Sequence, residues 1–161
     1  MLLLAKSKEI NILESKLTHK SPVLHRLARF VTEEAVCLMF NIQPEDIYVV
    51  ECWRYIVYVH AKSVSKFVSY ADFPPIVGVA PPSKVDIIKW RRRWRRQHEP
   101  SARKQAPIWW AKFLQQELWH TFSPPMLNNW DELLNSIEFA FNEATLKQLR
   151  TSYESTAKSK I

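Results

Sequence analysis

Arg91, Arg92, Arg93, Arg95 and Arg96 fall within six consecutive positions, interrupted only by Trp94. A guanidinium group chelates phosphate through a planar, bidentate fork and stacks on aromatic or base faces, which an ammonium group cannot do. Lys89 precedes the run, and Arg103 and Lys104 follow it. From Lys84 to Lys104 nine basic residues stand against two acidic ones, Asp86 and Glu99. The chain carries 23 Lys plus Arg and 16 Asp plus Glu, a net charge of +7, so 14 of each sign remain elsewhere. The whole excess lies in one segment. Like charges at i and i+4, such as Arg92 and Arg96, weaken an isolated helix by a few tenths of a kcal/mol per pair. Such a run predicts an anionic partner, and a nucleic-acid backbone fits it: each neutralised phosphate releases counterions and makes binding steeply salt-dependent.

The functional expectation is a non-catalytic nucleic-acid-binding or ribonucleoprotein accessory subunit for RNA or DNA. Lys89, Arg91, Arg92, Arg93, Arg95, Arg96, Arg103 and Lys104 are its contact residues. The rival is an adaptor that docks on an acidic protein through the same helix. In the blandest reading, some of these arginines pair internally with Glu33, Glu34, Glu138 or Glu143. Surface binding to a membrane is disfavoured by the narrowness of the helix's apolar face.

A second concentration, of aromatic residues, holds Trp109, Trp110, Phe113, Trp119, Phe122 and Trp130. Beside a basic run such rings can stack unpaired bases, each stack being worth about 1–3 kcal/mol. Trp110, Phe113 and Trp130 lie on the apolar stripes of their helices and are expected in the core. Trp109 and Trp119 fall off the stripe and, with Trp53 at a hairpin tip, are the candidates for base stacking or contact with a protein partner.

Catalytic sets are thinner. Asp46 ahead of one strand and His60-Ala61-Lys62 at the end of the next match the spacing of a Mg²⁺-dependent nuclease, but His60 stands where a carboxylate ligand is required. Glu51 or Glu34 would have to substitute, which leaves a divergent nuclease as a remote alternative. His25, Cys37, Cys52 and His60 lack the short spacings that bring two ligands to one metal, so inert cysteines and no metal site are expected. No nucleophile elbow occurs. The single glycine, Gly78, rules out glycine-rich phosphate loops and dinucleotide fingerprints, and no cofactor is expected.

These residues need positioning elements. With 161 residues and 47% hydrophobic content the chain is long enough to build a core without staples, and residues 1–161 read as a single domain. A subdomain boundary near 81–83 is the alternative, with 1–20 and 151–161 weakly ordered. Leu2–Ala5 is too short for a membrane span and lacks a positive region ahead of it, so a cytoplasmic protein is expected.

The fold class is α+β, with a small antiparallel sheet of two to three strands within about residues 46–80. An N-terminal helix over 22–40 packs on it, and a three-helix C-terminal portion follows. Ser7 caps a possible helix carrying Ile10, Leu13 and Leu17. The strands are 47–52, 55–61 and an edge strand at 76–80 fenced by prolines, and 62–70 reads as a short helix. Ser83 and Asp86 open a helix over 84–98 with Ile87, Trp90 and Trp94 on one side and Lys89, Arg92 and Arg96 opposite. A helix from Pro107 ends at Ser123-Pro124-Pro125, and Asn129 with Glu132 opens a last one, running to about Arg150.

Overall fold

A computed structural model describes residues 15–96, 105–121 and 123–160. The architecture is α+β: a four-stranded mixed sheet and five α-helices among the described residues. The chain divides into two compact units, one containing residues 15–25 and 32–68, the other 26–31 and 69–160.

The first unit is built on the sheet, whose order is β1 (Leu17–His19), β2 (Ile47–Cys52), β3 (Val57–Ala61), β4 (Val64–Val68). Leu17 therefore lies in a strand and not in an N-terminal helix. It pairs with Val50 in a parallel ladder, fixed by hydrogen bonds from Val50 N to Lys16 O and from Lys20 N to Cys52 O, both 2.9 Å. Ile10 and Leu13 lie outside the described residues. The β2–β3 hairpin forms where Val, Ile and Tyr are dense. Its loop is the four residues 53–56 and not the pair Trp53-Arg54; Trp53 N closes it on Ile56 O at 2.9 Å.

Residues 64–68 form a strand where a helix is predicted. Val64, Phe67 and Val68 satisfy a helical spacing, but the two-residue turn at Lys62-Ser63 folds them back along β3 in full register, from Ala61↔Val64 to Val57↔Val68. Ladder pairing outweighs local periodicity here. The stretch at 76–80 is no strand: Gly78 turns the chain with φ +97°, and the flanking Pro74-Pro75 and Pro81-Pro82 supply no donors.

Helix α1 spans Glu33–Phe40, eleven residues later than the expected start at Pro22. Thr32 is the better cap, accepting from Ala35 N at 3.1 Å, while Ser21 Oγ accepts only from Val23 N in a local turn. Asn41, at φ 55°, ends the helix in the left-handed region. The apolar spacing of Leu27, Ala28 and Val31 does report burial, but from a 3₁₀ turn at Ala28–Phe30 in the second unit.

The second unit holds α2 (Lys84–Arg95), α3 (Trp109–Trp119), α4 (Pro124–Ser136) and α5 (Glu143–Lys160). Helix α4 begins at Pro124, where a proline loses no hydrogen bond, so Ser123-Pro124-Pro125 opens a helix instead of closing one. The helix expected from Asn129 to Arg150 is two helices. Between them lies a 3₁₀ turn, Glu138–Ala140, with Ala140 and the preceding Ile137 buried, and Asn142 caps α5, its Oδ1 accepting from Thr145 N at 2.8 Å. Trp110, Phe113, Leu114 and Leu118 of α3 and Leu127, Trp130, Leu133 and Leu134 of α4 are buried. Trp130 Nε1 donates to Thr121 Oγ1 at 2.8 Å, which completes the polar requirement of a buried indole.

Candidate nucleic-acid interface

The capping box that opens α2 forms as the sequence predicts. Ser83 Oγ accepts from Asp86 N at 3.3 Å, and Asp86 Oδ2 accepts from Ser83 N at 3.0 Å. Asp86 is also the buried centre of a charge cluster that no sequence spacing announces. Arg29 Nη2 donates to Asp86 Oδ2 at 2.6 Å, and Arg26 Nε stands 3.6 Å from Oδ1. Arg29 reaches on to the carbonyls of Ala80 (2.8 Å) and Pro81 (3.1 Å), tying the segment that leads into α2. Burial disfavours the Asp86 carboxylate, but hydrogen bonds from Ser83 and Arg29 outweigh it and hold the group below the usual carboxylate range. Fifty-seven residues separate Arg29 from Asp86, so no local pattern announces the pair.

One side of α2 is anchored among aromatic rings. Trp90 and Trp94 are 0% and 1% exposed, and both stand edge-on to Trp110, at 5.8 and 5.4 Å between centroids. Phe30 packs on Trp90 at 5.7 Å and Phe139 on Trp94 at 5.8 Å. Trp110 Nε1 donates to Asp72 O at 3.1 Å, whereas Nε1 of Trp90 and of Trp94 have no hydrogen-bond partner among the described residues. Edge-to-face pairs of this kind are worth about 0.5–1.5 kcal/mol each beyond the area they bury.

The other side of α2 is exposed. Arg91, Arg92, Arg93, Arg95 and Arg96 all face solvent, and Lys89 is half-buried. Arg93 pairs with Asp72, its Nε 3.1 Å from Oδ1. Arg91 lies over the ring of Phe139, 4.5 Å from its centroid, which fixes the direction of the guanidinium without cancelling its charge. No carboxylate among the described residues pairs with Arg91, Arg92, Arg95 or Arg96. Glu138 pairs instead with Arg150, at 3.3 Å. Arg92, Arg93 and Arg95 occupy the last turn, where the helix dipole favours cations and offsets part of their mutual repulsion. Val85 and Ile88, 45% and 46% exposed, continue the outer face toward its N-terminal end. Arg103, Lys104 and Phe122 lie outside the described residues.

Of the aromatic candidates, Trp119 is 60% exposed at the end of α3, Trp109 is half-buried, and Trp53 is 42% exposed in the β2–β3 loop. The residues of the nuclease spacing are otherwise engaged. Asp46 Oδ2 accepts from Gln43 N at 3.0 Å in a capping box, His60 lies among aromatic rings on β3, and Glu51 pairs with Lys20 at 3.4 Å. Among the described residues no group of three or more His, Cys, Asp or Glu side chains could hold a metal ion. Burial, with Glu33 and Glu45 nearby, pushes the Cys37 thiol up and makes it a poor nucleophile. Gly78, Asn129 and Glu132 border a cavity of about 240 Å³. None of the described helices is long and apolar enough to cross a membrane.

The chain matches no known protein family, curated protein or solved structure.

Proposed function

We propose that the protein is a non-catalytic nucleic-acid-binding subunit, of the kind found as an accessory component of ribonucleoproteins, that grips phosphates through the outer face of α2. The observation that carries this reading is the set of four exposed guanidinium groups, Arg91, Arg92, Arg95 and Arg96, without a carboxylate partner among the described residues. Phosphate accepts the bidentate fork that Arg has and Lys lacks, and it recurs along a strand as arginines recur along a helix. The anchoring of α2 by Trp90, Trp94 and Asp86 supports the same reading, because fixed side chains lose less freedom on binding. Asp46, the nuclease's metal-binding carboxylate, is engaged as a cap, which disfavours the catalytic alternative. A cytoplasmic setting belongs to the proposal.

The exposure of Trp119 favours the second reading, an adaptor with an aromatic anchor for a protein partner. The two separate in a binding assay. Labelled single-stranded RNA and duplex DNA are titrated with the wild type and with the Arg92→Glu/Arg96→Glu variant, followed by fluorescence anisotropy. At least a tenfold loss of affinity is expected on charge reversal. Equal affinity of the two proteins overturns the proposal, and a partner complex that survives nuclease and high salt favours the adaptor.

A further inference from the structure

The sheet of the first unit has two unlike faces. One carries the buried Ile47, Val50, Cys52, Val57, Val59, Ala61 and Val68. On the other, across β2, β3 and β4, the rings of Tyr48, His60, Tyr58 and Phe67 form an unbroken row. Tyr48 and His60 meet edge-on at 5.0 Å, His60 and Tyr58 are stacked at 6.3 Å with 30° between planes, and Tyr58 lies 4.8 Å from Phe67. Tyr58 and Phe67 are direct cross-strand partners, and such pairs stabilise a sheet. That role leaves Tyr48 and Phe67 each 57% exposed, far more ring surface than pairing uses.

We propose that this face is a stacking platform for the unpaired bases of a single-stranded nucleic acid. Flat π-faces receive flat bases irrespective of sequence, and a sheet that presents them in the open is suited to splayed, unstacked nucleotides. The charges agree with a polyanion. Glu51, the carboxylate of β2, is paired with Lys20, and the exposed Arg54 and Lys62 stand just before and just after β3, while Lys66 is registered with Val59 on the other face. At the hairpin end Tyr55, 76% exposed, lies under the Arg54 guanidinium at 5.2 Å, and Trp53, 42% exposed, belongs to the same loop. An aliphatic protein helix would favour a Leu- or Met-lined groove, and the row holds only aromatic and imidazole rings. The proposal rests on the reading above for its class of ligand, but on different residues.

The test compares a single-stranded oligo(U) with an abasic strand of the same length, which keeps the phosphates and lacks the rings. The proteins are the wild type, Tyr48→Thr/Phe67→Thr and Arg92→Glu/Arg96→Glu, with circular dichroism melts to verify folding. Threonine keeps strand propensity at two exposed positions, and each single variant stands in if the double one melts early. The wild type should bind oligo(U) at least about tenfold more tightly than the abasic strand. The sheet variant should lose that preference while holding the abasic strand as before. A wild type without preference, or a sheet variant that retains it, overturns the platform. So does a wild type that sediments as a dimer and a sheet variant that sediments as a monomer with its preference intact, which would make the face a self-association surface. If charge reversal on α2 leaves abasic binding unchanged while the sheet variant abolishes the preference, the helix reading fails and the platform stands.

Discussion

Asp86 is held as a carboxylate by Arg29 and the Ser83 amide in a site where its side chain is 2% exposed. Removing one member of such a buried pair leaves the other uncompensated, at a cost of about 3–5 kcal/mol, so Asp86→Ala should lower stability by about 3 kcal/mol in urea unfolding. The lowered carboxyl pKa fixes the sign of the pH dependence. Its contribution is complete above the unfolded-state value, near pH 4, and is lost as pH falls through the lower folded value. Asp86→Asn should therefore be less stable than the wild type at neutral pH and converge on it in acid. Thermal melts of both proteins from pH 7 down to pH 2 check this, and parallel curves would show that the carboxylate is not the group responsible. At this scale the Ser83–Asp86 cap was legible in the sequence because it is local, and Arg29 was not, because the fold brings it from far along the chain.

Helix α2 makes the opposite case at the scale of an element. Its arginines repel one another, and of the five only Arg93 has a carboxylate partner among the described residues, Asp72. Arg92→Gln/Arg96→Gln should consequently leave the melting temperature unchanged or slightly raised, within about 0.5 kcal/mol, while the proposed function predicts weaker binding. A clear destabilisation would mean that these side chains serve the fold. The break between α4 and α5 is a matter of capping: Asn142→Ala should cost about 1 kcal/mol in chemical denaturation. The two-faced character of α2 was legible because one helix's angular pattern contains it: Ile87, Trp90 and Trp94 turn inward or half-inward, and Arg92 and Arg96 outward. The strand at Val64–Val68 and the late start of α1 were not legible, since both depend on partners distant in sequence that outweigh a local 3–4 spacing. Tyr58 and His60 could have been read as outward-facing from their alternation with Val57, Val59 and Ala61. Phe67 could not, because the spacing of Val64, Phe67 and Val68 points to a helix.

For the whole molecule, the net charge of +7 is a local property. The described part of the sheet unit holds five basic residues, Lys16, Lys20, Arg54, Lys62 and Lys66, against five acidic ones, Glu33, Glu34, Glu45, Asp46 and Glu51. The excess lies between Lys84 and Lys104, with α2 at its centre. If the proposed function holds, a polyanion is drawn to that one surface, and affinity should follow the number of phosphates the surface neutralises. The most direct measurement is the dependence of single-stranded RNA affinity on salt. Four phosphate contacts, one for each of Arg91, Arg92, Arg95 and Arg96, predict a slope of log K against log salt of about −3, and Arg92→Gln/Arg96→Gln should reduce its magnitude by about 1.4. A flat response in the wild type, or one slope shared by the two proteins, would contradict the assignment of α2 as the phosphate-binding element.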